Sequence, residues 1–204
     1  MKLYFSPGAC SLAPHIILRE AGASFELEQV DNKTKKTKSG ADFWQISPKG
    51  YVPVLELSNG SRITEAAVIL QYIADQYPAS ALVPACGSFD RYRVAEWLNF
   101  VTSEVHKPFG SLFRADVPEE YKTIAKANLS KRYSFMEEHF AMHQYLHGEK
   151  FGIADAYLFV ITRWMPRVGL DMGKWPKVKA YWERIAARPK VQEAMEAEGL
   201  KKAA

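Results

Sequence analysis

The sequence is poor in cysteine, with two residues, Cys10 and Cys86, among 204. So few cysteines exclude a disulfide framework and a cysteine-rich metal site, and they are typical of a protein that works in a reducing compartment. The sequence also lacks an apolar run of membrane-spanning length. Pro7-Gly8 interrupts the apolar residues near the N-terminus, so the pattern does not predict a signal peptide. We therefore expect a cytoplasmic protein with no membrane partner.

A large excess of charge of one sign is missing as well. The 27 lysines and arginines nearly balance the 23 aspartates and glutamates, and the net charge is only +4. Four lysines crowd one polar loop, at positions 33, 35, 36 and 38, but no aromatic residues are interleaved with them. Neither feature predicts binding to nucleic acid. The hydrophobic content of 48% is enough for a packed core and excludes a disordered chain.

Cys10 is the residue that carries the most information. It follows Lys2-Leu3-Tyr4-Phe5, a predicted strand, and precedes a predicted helix over 12–19, with a turn at Pro7-Gly8. A thiol at a helix start faces unpaired backbone N–H groups and the positive end of the helix dipole. Both favour the thiolate, so we expect the pKa of Cys10 to lie below its ordinary value of about 8.5. A buried cysteine that acts as a small hydrophobic residue is the alternative.

Position 13 is Ala, so Cys10 is not part of a Cys-x-x-Cys pair. A reactive Cys10 would therefore need a second thiol from outside the protein. Cys86 has no comparable surroundings in the sequence, and we expect it to react more slowly than Cys10.

The first 77 residues mix strands and helices. A second strand is predicted at 25–28, a hairpin turning at Asn59-Gly60 between 54–57 and 62–63, and a helix over 66–77 that Pro78 ends. A helical crossover separates the first two strands, so they should be parallel, whereas the hairpin should form an antiparallel edge. A helix–sheet sandwich follows from this order.

The strand signals stop after a predicted linker at 78–88. Helical spacing of apolar residues then predicts helices over 89–107, from about 118 through 140, over 154–163 and around 178–185. We therefore predict an α/β domain over 1–80 followed by an all-α domain over 87–204.

The helix over 89–107 carries a polar stripe. At roughly 100° per residue, Asn99, Ser103 and His106 fall within a wedge of about 60°, flanked by Glu104 and Lys107. Amide, hydroxyl and imidazole groups suit a ligand, although a polar helix face is more often simply solvated.

Two further features resemble sites in their residue types. Glu65-Ala66 lies at a helix start, where free N–H groups can hold a carboxylate, and an ordinary acidic first turn is the alternative. His139, His143 and His147 share helical spacing, but no carboxylate or cysteine completes a set of ligands, so no metal site is predicted.

Five separated segments resemble the bacterial beta-class glutathione transferases, and they occur in the same order as in that family. The segments are 1–15, 47–55, 63–66, 96–107 and 151–159. The resemblance implies a thioredoxin-like N-terminal domain, an α-helical C-terminal domain, a homodimer, a cytosolic location and the use of glutathione.

The resemblance also implies how glutathione, γ-Glu-Cys-Gly, would be held. Its cysteinyl segment would pair with the backbone of Val52 before a cis-Pro53, and Cys10 would lie beside its sulfur with His106 near. The remaining contacts would come from Ala66 N–H to the γ-glutamyl carboxylate, Glu65 to the amine, Lys35 to the glycyl carboxylate, and from Asn99, Ser103, Glu104 and Lys107 lining the site.

Two reactions are implied: attack of the glutathione thiolate on a small hydrophobic electrophile, and thiol–disulfide exchange through a Cys10–glutathione mixed disulfide. A non-catalytic carrier of glutathione or of a hydrophobic ligand is the alternative. The sequence departs from the family pattern at three positions: Tyr51 replaces a common Gln, Ala66 a Ser or Gly, and Gly152 a helix-capping Ser or Thr. Glycine is a tolerable N-cap, so we expect the helix after Gly152 to form.

Overall fold

The computed structural model describes residues 1–200, and their contacts divide the chain into two compact units. The first unit comprises Met1–Val83 together with the C-terminal residues from Arg188, and the second comprises Pro84–Ala187. The sequence-based division assigned all of 87–204 to the helical domain. The structure differs at the C-terminal end because the last helix packs against the first helix of the chain.

Within residues 1–200, the first unit holds a five-stranded sheet of order β3-β2-β1-β4-β5. The strands are β1 (Lys2–Phe5), β2 (Glu26–Asp31), β3 (Lys36–Thr37), β4 (Val54–Glu56) and β5 (Arg62–Thr64). β1 runs parallel to β2, and β4 and β5 form an antiparallel hairpin, as predicted. β3 was not predicted, because two residues are too few to show an alternating pattern.

The helices lie at α1 (Leu12–Glu20), α2 (Phe43–Ile46), α3 (Ala66–Gln76), α4 (Phe89–Phe100), α5 (Lys107–Leu112), α6 (Glu119–Met142), α7 (Ile153–Thr162), α8 (Pro176–Ala186) and α9 (Pro189–Ala197). In the first unit, α1 packs against both α3 and α9. Leu3 and Leu55 face each other across β1 and β4 and are fully buried. The neighbouring positions Tyr4 and Val54 form a second buried cluster with Phe43 of α2, so both faces of the sheet are covered.

A buried polar network joins the end of α9 to α1 and to the loop before Cys10. The Nδ1 of His15 lies 2.9 Å from the Glu198 carboxylate, and Arg19 Nε donates to His15 Nε2 over 2.9 Å. Because Nε2 accepts, the proton of the neutral ring sits on Nδ1 and is donated to Glu198. The other Glu198 oxygen accepts the backbone N–H of Gly8 at 2.9 Å.

The second unit is built around α7, every residue of which is buried. A helix that is apolar on all sides is expected at the centre of a core. Gly152 precedes it, and the Asp155 side chain accepts the Gly152 N–H over 2.9 Å and the Leu146 N–H over 2.9 Å. The helix forms without a Ser or Thr cap, as expected, because Asp155 holds the chain that enters it.

The predicted helix over 89–107 is interrupted by a π-helical turn, Val101–His106. The Lys107 N–H bonds to the Thr102 carbonyl, five residues back instead of four. The hydroxyls of Thr102 and Ser103 donate to the carbonyls of Leu98 and Asn99, four residues before each of them. The wider turn changes the direction in which side chains leave the helix, which an α-helical projection of the sequence cannot show.

Candidate functional site

Cys10 lies in the loop between β1 and α1, one residue before Ser11, which precedes the first helical residue. Its sulfur donates to the backbone carbonyl of Val52 over 3.4 Å. The Val52–Pro53 peptide bond is cis. The structure thus brings together two segments that are 42 residues apart in the sequence and that both belong to the predicted site.

The expected low pKa of Cys10 is wrong. Backbone N–H groups of Cys10 and Ser11 do point at the sulfur and lower the pKa, as the helix-start argument requires. Burial of the thiol outweighs them and raises the pKa of Cys10 to about 12, and the negative charge of Glu65 adds to the rise. The residue as a whole remains partly exposed, but the enclosure of the sulfur sets its ionisation.

Glu65 and Ala66 lie at the start of α3, where the first N–H groups have no partner inside the helix. Glu65 has a left-handed backbone, with φ at 70°, and its carboxylate receives the ammonium of Lys49 at 2.6 Å. Lys49 also reaches the hydroxyl of Thr64 at 3.1 Å. Lys49 was not predicted as a site residue, since no local pattern relates a loop lysine to a carboxylate 16 residues later.

Lys35 is surrounded by the segment that precedes the cis bond. Its ammonium donates to the Gly50 carbonyl over 2.8 Å, and it lies 5.8 Å from the Trp44 ring and 5.7 Å from the Tyr51 ring. Two aromatic faces stabilise a cation at these distances. Tyr51, one of the departures from the family pattern, therefore flanks the predicted glycyl-carboxylate residue and is itself 74% exposed.

The residues predicted on α4 and beyond belong to the second unit, and their exposure and their partners differ. Asn99, Ser103 and Lys107 are exposed. Glu104 instead pairs with Arg132 of α6, with its Oε2 2.6 Å from the guanidinium. His106, at the end of the π-helical turn, lies against Tyr157 of α7, and the α-helical spacing between 99 and 106 is not kept across that turn.

His106 lies against aromatic residues that were not predicted to belong to the site. Its Nδ1 is 2.6 Å from the hydroxyl of Tyr157, and its ring centre is 5.2 Å from that of Trp164. Tyr157 is 1% exposed and Trp164 6% exposed. The run 151–159 carried part of the family resemblance, but nothing in it indicated that Tyr157 would meet His106.

A separate cavity of about 450 Å³ lies in the second unit, lined in part by Trp97, Phe100, Phe135, His139 and His143. Burial lowers the pKa of His139, whose Nε2 lies 3.0 Å from the Tyr145 carbonyl. Within residues 1–200, no group of three or more His, Cys, Asp or Glu side chains is arranged to hold a metal ion. No helix in the same range is both long and apolar enough to cross a membrane.

Family models of known proteins match residues in both units. Residues 1–75 match the family described as glutathione S-transferase, N-terminal domain, and residues 97–189 match glutathione S-transferase, C-terminal domain. Glutathione S-transferase GstA of Escherichia coli O157:H7 is 45% identical over 201 residues, which cover 98% of this chain and 100% of the relative.

Two solved structures are similar over 98% of this chain and 100% of their own length. One is a sphingomonad glutathione S-transferase complexed with glutathione, with 47% identity and a TM-score of 0.95. The other is the bacterial beta-class glutathione S-transferase of Sphingomonas chungbukensis, with 45% identity and a TM-score of 0.96. The chain belongs to the glutathione S-transferase family, and the resemblance to the bacterial beta class that its sequence indicated is confirmed.

Proposed function

We propose that this chain binds glutathione and transfers it to small hydrophobic electrophiles. The observation that carries the proposal is the contact between Cys10 and the Val52–Pro53 segment, 3.4 Å from sulfur to carbonyl oxygen, beside a cis peptide bond. A thiol beside the backbone of an extended segment suits a ligand that is itself a short peptide with a thiol. The sphingomonad relative, 47% identical, was solved with glutathione bound.

Charges in the first unit match the two ends of the tripeptide. Lys35, whose ammonium lies near the rings of Trp44 and Tyr51, would receive the glycyl carboxylate. The N–H groups at the start of α3, beginning with Ala66, would receive the γ-glutamyl carboxylate, and the Lys49 ammonium adds positive charge beside them. The Glu65 carboxylate would accept the γ-glutamyl amine alongside Lys49.

The ionisation of Cys10 favours one of the two reactions. With a pKa raised to about 12, Cys10 stays protonated at neutral pH. Its S–H, which bonds to the Val52 carbonyl in this structure, would turn to donate to a thiolate bound beside it. In the proposed conjugation the glutathione thiol loses its proton to solvent. Its sulfur then bonds to the electrophilic carbon, and the leaving group departs with the bonding electron pair. A mixed disulfide needs the Cys10 thiolate and would form slowly at neutral pH.

The second-unit residues complete the proposal. His106 would act on the glutathione sulfur, with Asn99, Ser103, Glu104 and Lys107 lining the site. Glutathione as co-substrate also implies the reducing cytoplasm as the compartment. These assignments rest on the family resemblance, and variants of each residue test them.

Calorimetry of glutathione binding tests the first-unit contacts. A charge-assisted hydrogen bond is worth about 1.5–3 kcal/mol, so Lys35→Ala should raise Kd by roughly 10- to 150-fold. Lys33→Ala is the matched control, because it removes an exposed lysine from the same loop and should change Kd less than about twofold. Equal affinities for the two variants would contradict the assigned site, and Glu65→Gln tests the amine contact in the same way.

Steady-state kinetics separate an enzyme from a carrier. The wild type should consume glutathione and an activated aryl halide together and release the thioether and the halide in equal amounts. A protein that binds glutathione with the expected dependence on Lys35, yet gives no turnover over a panel of aryl halides, epoxides and unsaturated carbonyls, would be the non-catalytic carrier.

The homodimer implied by the family is also part of the proposal. Light scattering at micromolar concentration should give about twice the chain mass of 23.1 kDa. A single 23.1 kDa species under those conditions would contradict it.

A further inference from the structure

The second unit contains a cavity of about 450 Å³ that the proposed function does not use. Its walls come from α4, from the end of α6 and from the loop that follows α6. The rings of Trp97, Phe100 and Phe135 form its apolar side, with centres 5.6–6.1 Å apart. Phe135 is 50% exposed and the other two are half-buried, so each ring keeps accessible surface. A cavity of this size and lining suits a flat aromatic molecule.

Two histidines at the end of α6 line the same cavity and stack on each other. The rings of His139 and His143 are 4.4 Å apart between centres and nearly parallel, with an angle of 12° between their planes. His139 also meets the Trp97 ring at 4.8 Å in an edge-to-face arrangement. This stacked pair therefore places imidazole nitrogens directly beside the aromatic side of the cavity.

Backbone carbonyls fix which nitrogen of each ring carries a proton. His139 Nε2 lies 3.0 Å from the Tyr145 carbonyl, and His143 Nδ1 lies 3.0 Å from the His139 carbonyl. A carbonyl oxygen only accepts, so both of these nitrogens are N–H donors. In the neutral pair, the nitrogens that can bind a further proton are therefore Nδ1 of His139 and Nε2 of His143.

The two rings differ in how readily they can become charged. Burial lowers the pKa of His139, and a positive charge on His143 lowers it further. His143 is exposed. A proton added to the stacked pair therefore goes to Nε2 of His143, where water solvates the charge, while His139 stays neutral beside it.

The charges around the stacked pair leave a place for an anion. The charged and titratable side chains on the surrounding segments are Asp90, Arg93, Glu96, His147 and Arg184. Arg93 and Glu96 balance each other at 2.7 Å, and His147 lies 4.0 Å from the Asp90 carboxylate. Arg184 of α8 bonds to the carbonyl of residue 144 and adds positive charge to the loop after α6. The stacked pair thus lies in surroundings that favour a negatively charged ligand group.

We propose that this cavity binds an aromatic acid, a flat molecule with one carboxylate or sulfonate, and that His143 takes up one proton from solvent when the acid binds. The aromatic part packs on Trp97, Phe100 and Phe135. The protonated His143 donates a charge-assisted hydrogen bond to the acid group. No covalent bond of the ligand changes. The site lies within the second unit and does not depend on the proposed function.

Calorimetry with naphthoate as the probe, between about pH 6 and about pH 8 and in buffers of different ionisation enthalpy, tests the proposal. Naphthoate should bind with the uptake of up to one proton, and its Kd should rise with pH by up to about tenfold per unit. Naphthamide, which has the same rings without the charge, should bind more weakly and without proton uptake. Trp97→Ala should raise Kd for both probes about tenfold.

His143→Gln removes the proton-binding ring at an exposed position where the fold tolerates the change. It should abolish both the proton uptake and the preference for naphthoate over naphthamide. His147→Gln is the matched control, because His147 also lines the cavity but has Asp90 as its partner, and it should change Kd less than about twofold.

Four results would overturn the inference. They are an absence of saturable naphthoate binding, as expected if a second copy of the chain covers the cavity; equal affinities for naphthoate and naphthamide; proton uptake that persists in His143→Gln; and displacement of naphthoate by glutathione, which would place the probe in the proposed glutathione site.

Discussion

The alkylation rates of the two cysteines show which effect sets the pKa of Cys10: burial, which raises it, or the N–H groups at the helix start, which lower it. Burial raises the pKa of Cys10 to about 12, and only the thiolate reacts with a reagent such as iodoacetamide. Relative to an ordinary thiol with a pKa of about 8.5, the thiolate fraction at neutral pH falls about 3000-fold. A thiolate of higher pKa is intrinsically more nucleophilic, which restores about 40-fold of the rate. We therefore expect Cys10 to react roughly a hundredfold more slowly than the same thiol in a peptide of residues 6–15.

The assay is a time course of labelling followed by peptide mass spectrometry, between pH 7 and pH 10.5. Cys86, which is exposed, should be labelled well before Cys10. The rate at Cys10 should rise about tenfold per pH unit across the whole range, because its pKa lies above it. Unfolding in urea should abolish the difference between the protein and the peptide.

Two outcomes would refute the reasoning. A Cys10 rate that levels off below pH 9 would mean that the N–H groups at the helix start outweigh burial, which was the expectation from sequence. Labelling of Cys10 before Cys86 at neutral pH would have the same meaning, and a Cys86→Ser variant makes the Cys10 rate measurable without competition.

Three further predictions concern stability. The pKa of Cys10 is higher in the folded protein than in the unfolded chain, so the protonated thiol contributes stability below pH 8.5, approximately, and this contribution is lost as pH rises towards 12. Cys10→Ala should therefore flatten the alkaline limb of a plot of Tm against pH. Gly50→Ala places a Cβ 2.5 Å from the Trp44 ring, at a backbone φ of +67°, and should lower the free energy of unfolding by about 1–2 kcal/mol in urea titrations. It should also weaken glutathione binding, because it displaces Trp44 from Lys35. Asp155→Ala leaves buried N–H groups without their acceptor and should cost about 3 kcal/mol by the same titration, whereas a cost below about 1 kcal/mol would contradict the role of Asp155 in holding α7.

The features that sequence predicted well are those with local causes. The parallel strands, the hairpin at Asn59-Gly60 and the start of α3 at Ala66 follow from alternation, turn residues and helix-start signals within a few positions. The family resemblance added the cis bond before Pro53, which no local pattern would have indicated.

The features that sequence missed depend on contacts between distant residues. The pKa of Cys10 is set by the enclosure of its sulfur near Val52, which is 42 residues away in the sequence. The residues that flank Cys10 therefore predicted a lowered pKa where the structure raises it. The polar stripe on α4 rests on a projection at 100° per residue, which assumes an uninterrupted α-helix, and the π-helical turn breaks that assumption before His106.

The buried pairing of Glu198 with His15 and Gly8 has a consequence for the order in which the chain folds during synthesis. Gly8 and Glu198 are 190 residues apart, and all of the second unit is translated between them. The sheet of the first unit can form early, but His15 cannot gain its buried carboxylate partner until the last helix has left the ribosome. The loop that carries Cys10 is therefore completed last, although it is among the first segments to be made.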